Sequence, residues 1–373
     1  MRRSVPTGRK FVGLSLGALV LFFALAYAGR HVPELRTGPI DGSTGLALGV
    51  SIGALACARR RGPGSGALAL ALAALFTSAR SAPAEDLSRA ELRTEKVADG
   101  VFLLTGTGGN IGASIGADGI LLVDSGLGQA TGRVRAALKR TTDRPIRFVL
   151  NTHWHTDHTG GNESLARDGA VVVAHENVRR RMSVEQNLAL FGLKFPASPA
   201  AALPVVTFTR SLTLHLNGDE IEAVHVPAAH TDGDVIVRFR RSNVVIGGDD
   251  FINGSYPVCD LSCGGSVEGM IAAADRLLAA GDERTRYIPG HGPLATRADV
   301  AAFREMLGAS RKAVLPLVKA GRSLDEVKAA RPMAVLDQRW GHGSVYPDLW
   351  TTVVYLSLGG RAPEGRPRGG AIR

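Results

Sequence analysis

At 373 residues and 45% hydrophobic content, the chain has enough apolar material for one large domain or two ordinary ones, which excludes an intrinsically disordered protein. Its formal charge of +10 resembles a nucleic-acid footprint, but residues 1–84 carry ten Lys or Arg against two acids, and the last fifteen residues are also basic. The stretch between them is close to neutral, so the excess charge belongs to the ends and no polyanion partner is expected.

The chain opens with the basic "MRRSVPTGRK", followed by "FVGLSLGALVLFFALAYA", about eighteen uncharged residues. That length suits a short transmembrane helix or a long signal-peptide core, and Ala26-Tyr27-Ala28 fits a small-x-small cleavage site. A second apolar run, "GLALGVSIGALAC", leads into "ARRRGPGSGALALALAALFTSARSAPAED", which repeats the pattern and ends at Ala82-Pro83-Ala84. Two readings of residues 1–84 stay open. In one, the second segment is the working signal peptide and translation starts downstream of Met1, near Val50; in the other, the first segment is a membrane anchor. A mature chain beginning near Gly29, seen by mass spectrometry, excludes the first. Either way the protein from Glu85 onward is expected to be periplasmic or secreted.

Of the three cysteines, Cys57 lies in the leader, and Cys259 and Cys263 stand four apart in "CDLSCGG". The latter two are expected either to pair in an oxidising compartment or to remain free thiols; no separate zinc knuckle is expected there.

From Glu85 the pattern alternates strands and helices. "VFLLTG", "IGASIG" and "ILLVDSG" are β-rich runs cut by Gly and Asp-Gly turns, predicting an antiparallel meander. "ATGRVRAALKRTT" reads as a helix, and "IRFVLNT" as a buried strand that delivers "NTHWHTDHTGG" at its C-terminal end. Then come a helix, a strand, a further helix and the strands "VVTF", "LTLHL", "EIEAVHVP", "DVIVRF" and "NVVIGGD". Helices are predicted over 266–280 and 297–320, and another from Ser323, where Glu326 completes a capping box. Sheets packed together with helices outside are the expected α/β (α+β) architecture. The expected domains are the leader (1–84), a catalytic domain (85–320), and a helical extension with a basic flexible tail (321–373).

"NTHWHTDHTGG" places three histidines and an aspartate within six positions. His153 and His155 alternate along a segment read as extended, so their rings are expected on one side, while Asp157 and His158 follow in the turn. One short loop cannot surround a zinc ion, and further donors stand at the ends of later strands: His230 in "PAAHTDGD", Asp249 in "VVIGGDDF" and His291 in "YIPGHGP". With Asp124 in "ILLVDSG", this ordered set resembles the metallo-β-lactamase superfamily over roughly residues 85–320, as an exported bacterial member whose ligand pattern is similar to that of the glyoxalase II and lactonase branches.

The resemblance implies a four-layer αββα sandwich and two Zn2+ per chain, with other divalent metals as alternatives. His153, His155 and His230 would bind the first ion, Asp157, His158 and His291 the second, and Asp249 would bridge both. Asp124 would orient a ligand histidine; Thr152 and Thr231 are weaker candidates for that role. The implied reaction is attack of a bridging hydroxide on an acyl carbon of a small-molecule ester, lactone, thioester or amide, with Asp157 orienting the nucleophile or accepting its proton. His155, where the di-iron branch has Glu, points to hydrolysis, and Asp249, where antibiotic-hydrolysing members have Cys or Ser, argues against a dedicated β-lactamase. An export signal argues the other way, so a periplasmic β-lactamase stays open. From other classes, a nucleic-acid-processing enzyme requires a basic mature surface, and an inactive membrane-tethered metal-binding protein is expected to have lost a ligand.

Substrate contacts are expected from loop 251–266, with Tyr256 and Ser262, and residues 187–204 are either a flap or an ordinary connection. Trp154 is expected in the core. His175, His215 and His225 are expected outside the site.

Overall fold

The computed structural model describes residues 91–361, so the leader, both export readings and the end of the basic tail lie outside the described residues. In chain order the strands are β1 (Arg93–Ala98), β2 (Val101–Thr105), β3 (Ile111–Gly116), β4 (Gly119–Val123), β5 (Ile146–Leu150), β6 (Val171–His175), β7 (Gln186–Leu188), β8 (Leu193–Phe195), β9 (Val206–Phe208), β10 (Ser211–Leu216), β11 (Asp219–Val226), β12 (Asp234–Phe239), β13 (Val244–Ile252) and β14 (Arg286–His291). Helices α1 (Thr131–Lys139), α2 (Thr156–Thr159), α3 (Asn162–Arg167) and α4 (Glu176–Met182) lie among the first strands, and α5 (Val267–Ala280) precedes β14. After it come α6 (Arg297–Lys319), α7 (Leu324–Ala330), α8 (Ala334–Trp340) and α9 (Pro347–Ser357). No helix among the described residues is long and apolar enough to cross a membrane.

The strand period of two explains the layering. In β4, Leu121 and Val123 face the layer between the sheets, while Ile120 and Leu122 face α1, so the continuous apolar run is buried on both sides. The first sheet runs β1-β2-β3-β4-β5-β6-β9 and the second β10-β11-β12-β13-β14. Leu103, Leu121 and Leu150 of the first meet Val235, Val237 and Ile246 of the second. Helix α1 covers the outer face of the first sheet through Val134, Ala137 and Leu138. Helix α5 covers the second through Met270, Ala273, Ala274 and Leu277, spaced as one helical face, with the Ser266 hydroxyl capping its first turn. Burying each of its larger side chains contributes about 1.5–3 kcal/mol.

The expected meander is present as antiparallel β2-β3-β4, extended by β1, which the sequence reading did not anticipate. The predicted capping box of Ser323 and Glu326 starts α7. The apolar core does not stop at residue 320. Leu324, Val327, Trp340, Trp350 and Val353 pack in one cluster with Phe251, Leu277 and Phe303.

The parallel strands set the site. β4, β5 and β6 run side by side in one direction, as do β13 and β14, so the segments leaving their C-terminal ends converge at one edge of the sandwich. Asp124 follows β4, the histidine segment follows β5, His230 lies between β11 and β12, Asp249 is in β13, and His291 ends β14.

Candidate metal centre

Asp124 sets the geometry of the histidine loop. It is buried and takes a left-handed backbone conformation (φ 67°). One carboxylate oxygen accepts the Thr152 N–H at 2.7 Å, and the other accepts the Thr152 hydroxyl at 2.7 Å and His158 Nδ1–H at 2.8 Å. A buried carboxylate saturated by donors holds both partners firmly. These bonds turn the chain out of the strand directly after Leu150, and His155 becomes the N-cap of α2. The backbone at 152–154 is thus a series of bends and not the extended segment expected, yet the His153 and His155 rings do lie on one side, 4.9 Å apart and edge to face in one donor group.

Outer contacts select the nitrogen each imidazole turns inward. His153 Nδ1 lies 3.1 Å from the Thr152 hydroxyl, whose own hydrogen goes to Asp124, so this nitrogen donates and Nε2 is free. His158 donates through Nδ1 to Asp124, and His230 through Nδ1 to the Val258 carbonyl at 2.8 Å, leaving Nε2 on each. His155 is inverted, with Nε2 3.3 Å from Asp260 and Nδ1 2.9 Å from His230 Nε2.

Two donor groups result: His153, His155, His230 and Asp249 in one, Asp157, His158 and His291 in the other, each with ligand atoms within 4.8 Å of one another. Asp249 spans them. Its Oδ2 is 4.0 Å from His153 Nε2 and 3.7 Å from His230 Nε2, and its Oδ1 is 3.2 Å from His158 Nε2 and 3.6 Å from His291 Nε2. His153 Nε2 is buried with no hydrogen-bond partner, and paired imidazole acceptors aimed at each other are unfavourable without a cation between them. The donor set therefore fits divalent metal ions that accept imidazole and carboxylate.

The two groups differ electrostatically. Burial, reinforced by His158, pushes the pKa of His153 well below its ordinary value, and burial lowers that of His230. Burial opposes the charge on His158 too, but Asp249, Asp157 and Asp124 outweigh it and raise its pKa well above the ordinary value. His291 is likewise raised, by Asp249 and Asp157 against burial. Burial works against the Asp157 carboxylate, yet His158 and His291 bring its pKa down to about 2. Near neutrality these directions favour proton occupancy at His158 and His291 and disfavour it at His153 and His230. Metal entering the second group therefore competes with protons more strongly than metal entering at His153 and His230. Calorimetric titration in buffers of different ionisation enthalpy is expected to show up to about two protons released with the second ion and affinity for it rising with pH.

Other expectations are met in part. Thr152 joins Asp124 to His153, and Thr231 instead donates its backbone N–H to Asp234 at 2.7 Å, fixing the turn that carries His230. Trp154 is buried, packed edge-on against Phe195. Residues 187–204 fold mainly as the β7-β8 hairpin and a short 3-10 turn. His175 and His225 stack on each other at 3.7 Å, bonded to the Thr209 and Asp232 carbonyls, and are not among the donor groups. Cys259 and Cys263 are free thiols, turned toward the Ala229 carbonyl and Gln186.

Tyr256 corrects the substrate-wall expectation. It is 1% exposed, stacks on Trp350 and donates its hydroxyl to Asp337 at 2.9 Å. Ser262 lines a cavity of about 670 Å³ with Leu188, Phe191, Leu261 and Leu349, away from the seven donors, none of which lines it, and its hydroxyl donates to Asp260. The reading missed Asp260, Asp234 and Asp250, whose carboxylate accepts the His230 N–H at 3.3 Å. The Asp-x-Ser of "CDLSC" signals a capped turn, which Asp260 forms, but nothing local signals its partner His155.

The family described as Metallo-beta-lactamase superfamily matches residues 104–292. A hydroxyacylglutathione hydrolase of Polaromonas sp. is 28% identical over 184 residues, 49% of this chain and 62% of that protein. A 2,4-dinitroanisole O-demethylase subunit alpha of Nocardioides sp. is 25% identical over 238 residues, 62% of this chain and 65% of that protein. The chain spans less than two thirds of the length of either relative. Among solved structures, a double mutant of a sec-alkyl sulfatase has a TM-score of 0.57 at 17% identity, over 74% of this chain and 51% of that one, a likeness of fold.

Proposed function

The chain belongs to the metallo-beta-lactamase superfamily, and from that premise we propose that it is a metal-dependent hydrolase of an acyl bond, most simply a thioester or lactone. The observation that carries this reading is the span of Asp249 across two three-residue donor groups. We assign two divalent cations, zinc foremost, to His153, His155 and His230 on one side and Asp157, His158 and His291 on the other, with Asp249 shared. When bound, such ions supply Lewis acidity, which activates water near neutral pH and stabilises negative charge on an acyl oxygen.

The protein's own residues supply the rest. The first group is closed off, with the His153 and His230 side chains at most 1% exposed, while His291 is 36% exposed, so substrate approaches past His291. Asp157, with its pKa held near 2, is ionised at neutral pH and 3.2 Å from His291 Nε2. As a carboxylate beside the second group, Asp157 orients the attacking water by accepting its hydrogen bond or takes up its proton. Asp124 and Thr152 keep the imidazoles from rotating as charge builds. An aspartate at position 249 and the similarity to a hydroxyacylglutathione hydrolase favour thioesters and lactones. The leader extends the proposal to an exported enzyme.

A hydrolysis screen of thioesters, lactones, aryl esters and β-lactams tests this. Chelation is expected to abolish turnover, and Asp157→Ala to lower kcat by about 100- to 1,000-fold. A protein that loads two ions yet turns over no acyl substrate, or one whose activity survives both treatments, overturns the reading.

A further inference from the structure

His155 is the one inverted imidazole of the first donor group, and its outer partner is an ionisable side chain from a loop 105 residues away. We propose that Asp260 is a positioning residue that locks His155 as an Nδ1 ligand; the inference rests on reading the cluster as a metal centre.

Asp260 is 2% exposed and fixed from several directions. Its backbone N–H donates to the His230 carbonyl at 2.9 Å, and its own carbonyl accepts Gly265 N–H at 2.9 Å. Its Oδ1 accepts the Ser262 N–H at 3.0 Å, the Cys263 N–H at 3.2 Å and the Ser262 hydroxyl. Three donors occupy that oxygen, so the carboxylate cannot turn, and Oδ2 is presented to His155 Nε2 at 3.3 Å. An acceptor-only group there requires Nε2 to carry the hydrogen, which leaves Nδ1 as the lone pair facing His230 Nε2. The same segment aims His230 through the Val258 carbonyl. Residues 258–260 thus orient two of the three histidines of the first group.

Asp260→Asn separates this role from capping. The amide oxygen must stay with the three donors of the turn, so the NH2 group faces His155 Nε2. That nitrogen is then forced to accept, and the proton moves to Nδ1, where a ligand lone pair is needed. The variant is expected to keep its circular dichroism and its second metal position. The dissociation constant of the first position should rise about tenfold to a hundredfold, with a changed cobalt absorption spectrum. Long-range proton–nitrogen NMR of the wild-type protein, with zinc and without it at mildly alkaline pH, is expected to show His155 protonated on Nε2.

A His155 protonated on Nδ1, or an Asp260→Asn protein that binds cobalt at both positions with wild-type affinity and spectrum, overturns the proposal. A wild-type protein that takes up no divalent metal overturns the metal-centre reading instead, and the NMR measurement still decides what Asp260 does.

Discussion

Asp249→Ala is expected to lose both metal ions on dialysis and to hydrolyse acyl substrates at least about 100- to 1,000-fold more slowly than wild type. Each donor group contributes three other side chains, and a tetrahedral ion needs a fourth ligand. Asp249 reaches both, with Oδ2 toward His153 and His230 and Oδ1 toward His158 and His291. Its charge is also the leading opposite charge acting on His158 and His291 in the metal-free protein. Removing it leaves buried imidazoles with a weaker counter-charge, a class of change that costs about 3–5 kcal/mol when a buried pair is broken. The metal-free variant should therefore melt below metal-free wild type, with less proton uptake at His158 and His291 near pH 7. Metal content, kcat/KM and thermal melting check the three consequences together. A variant retaining both ions at wild-type affinity would refute the bridging assignment.

Much of this site was legible because its later donors follow apolar strand-like runs, although Asp249 lies inside β13, which continues to Ile252. His230, Asp249 and His291 each follow a β-rich apolar run, and the spacing within "NTHWHTDH" is local, so order along the chain was enough to collect them. What escaped depends on contacts distant in sequence. Asp260 looks like an ordinary turn cap, and its second bond exists only because the loop after β13 folds back on the loop after β5. Tyr256 looked like a substrate contact because a tyrosine among small polar residues resembles an exposed loop. Its stacking partner Trp350 and acceptor Asp337 come from helices more than eighty residues later, which draw it into the core. The same-side placement of His153 and His155 held, but the backbone between them is not extended, because Asp124, just after β4, captures Thr152 and ends β5 early. Strands of three residues, as in the β7-β8 hairpin, are too short for their period to show.

Trp350→Ala is expected to cost about 3–5 kcal/mol and to lower the melting temperature by roughly 6–20 °C. Trp350 is fully buried in α9, and its indole N–H donates to the Ser310 hydroxyl of α6 at 3.0 Å. The loss removes both a large apolar volume and a partner of a buried hydroxyl, a large share of a typical total stability of about 5–15 kcal/mol. The effect should also reach the metal centre. Trp350 stacks on Tyr256 at 5.5 Å, and the Tyr256 N–H donates to the Trp340 carbonyl at 2.9 Å. Two and four residues after Tyr256 come Val258 and Asp260, which aim His230 and His155. Weaker binding at the first metal position should therefore accompany the lower melting point, while His158, held by Asp124, keeps its orientation. If residues beyond 320 were an independent extension, a chain ending there would melt and bind metal as the longer protein does. The shared core predicts the opposite: without α7, α8 and α9, the faces of α5 and α6 lose their cover, loop 253–260 loses its clamp, and soluble metal-binding protein should not be recovered.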